Sequence, residues 1–319
     1  MPKDRDRIIA LVTGAGGFVG SHLVEHLLEQ GDAVRGVDCF TPFYDRSDKQ
    51  RNLSHVIGRE GFSFERADLS RDDLTQLLTD VDVVYHLAGQ PGVRPSWGEE
   101  FGEYVRHNIE ATQRLLEAST RHRLGAFVFA SSSSVYGDAE RLPTPETVRP
   151  EPVSPYGVTK LAAEHLCNVY RRNMGVPTAS LRFFTVYGPR QRPDMAFRRL
   201  VHAAVHGSRF ELFGDGEQTR DFTYVGDVVE AMRAAASSGW TGTANIGGGT
   251  RVSMKDVLAI VESQCGEIDI VRGDAQPGDV RHTGADTTIA AEMFGYNPKI
   301  DVAEGIARMV EWERASFAA

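Results

Sequence analysis

An α/β fold, a doubly wound parallel sheet joined to a smaller C-terminal α/β lobe, is predicted by three observations. β-rich runs alternate with segments of helical spacing through the first half of the chain. A glycine loop, TGAGGFVG at residues 13–20, follows the first run at once. Runs such as residues 83–87 are largely apolar, as expected of strands covered by helices on both faces.

The runs are residues 8–12, 33–37, 62–66, 83–87, 126–131 and 178–183. Helical spacing between them is carried by Val19, Leu23, His26 and Leu27, and later by Val105, Ile109, Thr112, Leu115 and Leu116. Past residue 183 the elements shorten, with turn signals at FGDGEQ, NIGGGT, QPGD and YNP. A helix over about residues 302–315 closes the chain, its stripe of Ile306, Met309, Val310 and Glu313 suited to packing. The expected division is a dinucleotide-binding domain over residues 1–183 and a mainly substrate-binding lobe over 184–319, interleaved with the first.

The glycine loop carries the first chemistry. Gly14, Gly17 and Gly20 allow a tight turn, close approach to a pyrophosphate and a helix seated against the sheet, whose N-terminal N–H groups then face the phosphates. Asp38 stands 18 residues beyond Gly20, at the end of the second run. A carboxylate there accepts adenosine ribose hydroxyls and repels a 2′-phosphate, which selects NAD over NADP.

The second chemistry lies in SPYGVTK. Ser154 is a natural N-cap and Pro155 a natural first helical residue, so Tyr156 and Lys160 share one face a turn apart. A tyrosine of ordinary pKa, about 10, is a poor base at neutral pH; a nearby ammonium, the positive helix end and a cationic nicotinamide favour its phenolate.

Composition limits the partners. A formal net charge of -9 argues against nucleic acid, which wants a basic face. The basic residues do gather in RFFTVYGPRQRPDMA, residues 182–196, a loop of arginines, hydroxyls and prolines suited to a small anion. Cys39, Cys167 and Cys265 are odd in number and widely spaced, so neither a disulfide framework nor a zinc site is expected. His22, Glu25 and His26 match an HxxEH zinc pattern but sit on the helix tied to the glycine loop; His202 and His206 read as solvated or packed. No metal is expected. With no apolar run of the roughly 18 residues a bilayer demands, and none resembling a signal peptide, the expected location is the cytoplasm.

TGAGGFVG, Asp38, Asp68 with Leu69, HLAGQ, Asn108, SSSSVYG, YGVTK and TVYGP together resemble the extended short-chain dehydrogenase/reductases of the NAD-dependent epimerase/dehydratase family, over essentially the whole chain, and imply its Rossmann fold. The resemblance implies that the glycine loop with Phe18 and Val19 holds NAD. It places Asp68 and Leu69 at adenine, and Leu87, Ala88, Gly89 and Asn108 along the cofactor. Tyr156, Lys160 and Ser132 become the catalytic group.

Within the family, similar dehydratases carry an Asp-Glu pair, and similar uronate decarboxylases a Glu, where this chain has Ser133 and Ser134. Expelling a hydroxyl needs an extra acid and base that serine does not provide at neutral pH. The anion loop is most similar to that of UDP-glucuronate 4-epimerases. There the residues matching Thr185 and Arg192, with the serine turn, hold the sugar carboxylate, a charge-assisted grip that arginine suits. The competing reading has Arg190 and Arg192 merely bracing the loop or binding diphosphate.

By the same resemblance Phe213 lies by uracil, Arg220 pairs with the diphosphate and Asp279 holds ribose hydroxyls. Two departures stand out. Gln276 replaces an arginine common in hexose epimerases, and Pro91 a lysine found in some, for which Arg94 is the candidate substitute.

The implied reaction interconverts UDP-glucuronate and UDP-galacturonate through a 4-keto intermediate with NAD retained. A 4-keto uronate is a β-keto acid prone to lose carbon dioxide, so the carboxylate grip must also oppose decarboxylation. Alternatives are a UDP-glucose or UDP-N-acetylglucosamine 4-epimerase, then a UDP-glucuronate decarboxylase or a non-catalytic NAD-binding sensor. The resemblance also implies a homodimer, through helices starting near Tyr104 and Tyr156.

Overall fold

The structure, a computed structural model, describes residues 7–274 and 280–317. Its first half runs β1 (Ile9–Thr13), α1 (Phe18–Glu29), β2 (Ala33–Val37), α2 (Arg46–Leu53), β3 (Phe62–Glu65), β4 (Val83–His86), α3 (Phe101–Tyr104), a π-helical turn (Val105–Glu110), α4 (Ala111–Ser119), β5 (Ala126–Ser132), α5 (Pro155–Met174) and β6 (Thr178–Phe183). The rest runs β7 (Val186–Tyr187), α6 (Ala196–His206), β8 (Phe210–Phe213), β9 (Thr219–Asp221), β10 (Thr223–Tyr224), α7 (Val225–Ser238), β11 (Gly242–Ile246), β12 (Arg251–Ser253), α8 (Met254–Cys265), β13 (Ile270–Gly273), α9 (Thr288–Phe294) and α10 (Val302–Phe317).

Seven of these strands form one parallel sheet in the order β11-β6-β5-β4-β1-β2-β3. The six runs read from the sequence are six of its strands. Alternation along each strand divides its side chains between two cores. Ala10, Val12 and Val128 join α1 and α7 on one face, while Leu11, Phe127 and Phe129 join α4 and α5 on the other. The order reverses between β1 and β4, and at such a switch point the loops leaving the strand ends part and open a crevice.

The seventh strand comes from the other half of the chain. Gly242–Ile246 pairs with Thr178–Phe183, and α7 packs on α1, so the sheet extends past residue 183. Nothing local marks residues 242–246 as belonging to that sheet; the pairing is long-range. The remaining segments pack around Phe197, Leu200, Phe222, Val257, Ile306 and Met309 as a second core.

One helix departs from its expected face. In the π-helical turn Val105–Glu110 the backbone takes one extra residue per turn, which rotates the stripe. Val105 consequently turns outward and Asn108 is buried, while Thr112, Leu115 and Leu116 remain inside. Among the described residues no helix is long and apolar enough to cross a membrane.

Candidate active site

The crevice at the switch point begins with glycines whose surroundings leave little room for a side chain. Gly14 has φ of +70°, and a Cβ on it would stand 2.8 Å from the amide nitrogen of Ala88 across the β1–β4 gap. A Cβ on Gly20 would meet the Gly14 carbonyl at 2.1 Å. Gly17 caps α1 without a side-chain bond, so the first N–H groups of the helix open toward the crevice. Phe18, Val19, Leu69, Leu87, Ala88 and Gly89 line the same wall. A backbone cradle at a helix N-terminus, with apolar walls beyond it, fits a dinucleotide.

Asp38 is buried at the far end of the wall. It accepts hydrogen bonds from the amides of Phe40 at 2.7 Å and Gly16 at 3.1 Å. Burial pushes its pKa above the ordinary carboxylate range; the Lys49 charge and those amides offset part of that. Lys49 on α2 is the countercharge that sequence reasoning missed. Its ammonium also donates to Thr41, and burial lowers its pKa. Asp68 is engaged by Ser70, whose hydroxyl and amide hold the carboxyl low against the opposing effect of burial.

Asn108 stands behind the wall. Its amide donates to the Gln90 carbonyl and to Thr159 Oγ1, and its oxygen accepts from the Gln90 amide at 2.7 Å, so the side chain locks the strand exit onto α5.

A second buried chain does the same for the glycine loop. The Ala88 amide donates to Thr13 Oγ1 at 3.1 Å, and Thr13 Oγ1 lies 2.8 Å from His86 Nδ1. His86 Nε2 lies 2.9 Å from Thr112 Oγ1, which in turn donates to the Asn108 carbonyl at 2.7 Å. With the Thr112 proton committed to that carbonyl, His86 must donate from Nε2 and accept at Nδ1. Burial lowers its pKa to about 3, helped by the Lys160 charge, and keeps the ring neutral. The histidine of HLAGQ was visible in sequence; its partners on β1 and α4 were not.

At the other end of the crevice lies SPYGVTK. Ser154 caps α5 by accepting from the Gly157 amide at 3.1 Å, and Pro155 occupies the first turn, as its sequence requires. Tyr156 lies beside Ser132, the last residue of β5. Burial raises its pKa; the neighbouring Ser132 hydroxyl and the Arg192 charge oppose that rise. The Tyr104 ring meets Tyr156 edge-on at 6.3 Å, and the Tyr104 hydroxyl ties down the carbonyls of Pro91 and Gly92.

Lys160 stands one helical turn from Tyr156 on α5. Its ammonium lies over the Phe129 ring at 4.6 Å, and burial lowers its pKa to about 8. One turn along α5 carries it toward the sheet and the Gly89 backbone, while Arg192 supplies a positive charge near Tyr156.

The anion loop separates its two arginines. Arg190 braces: it pairs with Glu25 on α1 at 2.6 Å, while His22 meets the Pro189 carbonyl at 2.9 Å. His22 and Glu25 of the HxxEH pattern are thus occupied in anchoring this loop. Arg192 instead lines the crevice beside Phe43 and Tyr156. Thr185 follows β6, whose Phe183 pairs in register with Ser132, so Thr185 and the turn Ser133–Val135 both leave the same end of the sheet. The turn is fixed by the Ser134 amide, which donates to Ser132 Oγ at 3.2 Å.

In the second lobe Phe213 ends β8, and the Arg94 guanidinium lies over its ring at 4.6 Å. Arg220 donates to the carbonyls of Thr219 and Arg281. Asp279 and Gln276 lie outside the described residues.

A parallel sheet with a glycine cradle at its switch point, a serine–tyrosine pair and a buried lysine defines a dinucleotide-dependent enzyme of the short-chain dehydrogenase/reductase type. The chain belongs to the NAD dependent epimerase/dehydratase family, which it matches over residues 10–247. It is 44% identical over 309 residues to an uncharacterized UDP-glucose epimerase, YtcB, of Bacillus subtilis, covering 95% of this chain and 96% of that one. It is 34% identical over 313 residues to the UDP-glucuronate 4-epimerase of Thermodesulfobacterium geofontis, covering 96% of each. A crystal structure of UDP-glucuronic acid 4-epimerase from Bacillus cereus, in complex with UDP-glucuronic acid and NAD, superposes with a TM-score of 0.94 at 41% identity. That match covers 97% of this chain and all of the other.

Proposed function

We propose that this protein is a UDP-glucuronate 4-epimerase that interconverts UDP-glucuronate and UDP-galacturonate with tightly bound NAD. The observation that carries the reading is Arg192, a guanidinium on the crevice wall beside Tyr156, at the strand ends that also bear Ser132, Ser133, Ser134 and Thr185. These hydroxyls and Arg192 hold the uronate carboxylate and preserve its charge, which decarboxylation would disperse.

Gly14, Gly17 and Gly20 with Phe18 and Val19 hold the dinucleotide phosphates, Asp38 the adenosine ribose, and Asp68 and Leu69 the adenine edge. Leu87, Ala88 and Gly89 line the cofactor, Asn108 fixes that wall from behind, and Lys160 holds the second ribose. Bound NAD supplies a cationic ring that favours tyrosinate, and takes up and returns hydride at the sugar C4. Tyr156, aided by Ser132, removes the proton from the 4-hydroxyl and later returns one to the oxygen of the 4-keto sugar. Phe213 packs at uracil, Arg220 pairs with the diphosphate, and Asp279 holds the uridine ribose.

The active unit is a homodimer, supported by Trp97, Phe101, Val105, Val158 and Val169, large apolar residues exposed along the helical stretch from 97 to 105 and on α5. Three unpaired cysteines support a reducing, cytoplasmic setting.

The second reading, a UDP-glucose 4-epimerase, is favoured by the name of the Bacillus subtilis relative and needs no carboxylate grip. Incubation of purified protein with UDP-glucuronate, UDP-glucose and UDP-N-acetylglucosamine separately, with no NAD added, decides between them. UDP-galacturonate as the only product supports the proposal; turnover of neutral sugars alone overturns it.

A further inference from the structure

Glu313 on α10 is fully buried and has no part in the crevice. Three cationic or imidazole groups from α6 converge on it. Its Oε2 meets the Arg198 guanidinium, which stacks on Trp312 at 4.8 Å. Its Oε1 is shared by two rings, His202 Nδ1 at 2.8 Å and His206 Nε2 at 3.1 Å. The rings are one helical turn apart, 4.5 Å between centroids, and both are partly open to solvent.

Two imidazoles at i and i+4 on one helix, with a carboxylate from another, are a donor set for a divalent transition metal. The three donor atoms lie within 4.8 Å of one another. In a tetrahedral site with bonds of about 2.0–2.1 Å, neighbouring donors are roughly 3.3 Å apart. The two nitrogen–oxygen separations are therefore within about half an ångström of what an ion requires, and Oε2 stays on Arg198.

We infer that His202, His206 and Glu313 form a binding site for a first-row divalent transition metal such as zinc, which pins α6 to α10, with water completing the coordination. Each imidazole nitrogen now facing Oε1 moves its proton to the other ring nitrogen through solvent. Two neutral rings and one carboxylate then face the ion, and no redox step is involved. Imidazole ligands favour zinc, nickel, copper and cobalt over magnesium and calcium, which prefer oxygen donors. The Arg198 charge lowers the affinity without occupying a ligand atom.

The test uses tag-free, chelator-treated full-length protein and cobalt(II) as probe, read by its visible ligand-field bands, alongside zinc-dependent thermal shifts. The expected result is one cobalt per chain, displaced by zinc and not by magnesium. His202→Gln and His206→Gln should each weaken binding by more than about tenfold. Both variants should keep wild-type epimerase activity, since neither residue belongs to the crevice, and this readout also shows that they fold. Absence of stoichiometric cobalt binding, or binding unchanged in both variants, overturns the inference whatever sugar the enzyme uses.

Discussion

Asp194 grips Arg192 along one edge of its guanidinium, with Nε at 3.0 Å from Oδ1 and Nη2 at 2.9 Å from Oδ2. The edge bearing Nη1 takes no part in that bond, and Arg192 sits on the crevice wall over the Phe43 ring. Asp194 therefore sets the orientation of the arginine proposed to receive the sugar carboxylate. Arg192→Ala should lose a charge-assisted bond worth about 1.5–3 kcal/mol, or about tenfold to a hundredfold in kcat/KM for UDP-glucuronate. It should also release some UDP-pentose, detected by product chromatography. Unchanged kinetics would show that the carboxylate is held elsewhere.

Asp194→Ala should have a smaller effect. Asp194 is half exposed, and pairs of that kind contribute about 0–1 kcal/mol. KM for UDP-glucuronate should rise no more than about fivefold, with kcat nearly unchanged. Steady-state kinetics on this variant beside Arg192→Ala separates orienting the arginine from supplying its charge.

Tyr156→Phe removes the only hydroxyl of the pair Ser132–Tyr156 that is proposed to exchange a proton with the sugar. A loss of at least about a hundredfold in kcat is expected. Cofactor content, measured after denaturation, should match wild type, because the ring still fills its place beside Tyr104.

The His86 chain makes an acid-stability prediction. The folded ring titrates near 3 against 6.5 for an ordinary histidine, so over that window the unfolded chain binds more protons than the folded one. Stability is complete above pH 6.5 and falls as pH drops toward 3, by up to about 1.4 kcal/mol per pH unit from this group. His22, lowered to about 4, adds in the same direction. Urea midpoints for wild type and His86→Gln, measured from pH 7 to pH 4, should differ in slope, the variant being flatter.

Gly20→Ala tests the cradle. Its Cβ would overlap the Gly14 carbonyl, so either the loop or α1 must shift, at a cost of about 1–3 kcal/mol. Thermal unfolding should show the loss, together with reduced NAD content; a variant with wild-type melting and full cofactor would mean that this close approach is not needed.

Much of this site was legible because it depends on local rules. The tight turn at Gly14, the cap at Ser154 and the strands of alternating cores leave their marks within a few residues of chain. Harder to see were residues whose meaning depends on a distant partner. Lys49 matters because α2 returns it to Asp38, and Asn108 because a π-helical turn rotates it inward. Glu313 looked like one more member of an apolar stripe until α6 brought Arg198, His202 and His206 against it.

Six of the seven sheet strands, the glycine cradle, the order of the proposed catalytic residues and the family were readable from the sequence, since glycine geometry, strand alternation and helix capping are short-range physics. Tertiary structure alone decided that Gly242–Ile246 completes the sheet. It also assigned Arg190 to the loop and Arg192 to the crevice, and directed the Lys160 ammonium toward Phe129. Those outcomes follow from packing and electrostatics between segments far apart in the chain, where spacing along the sequence carries no information about which charge meets which partner.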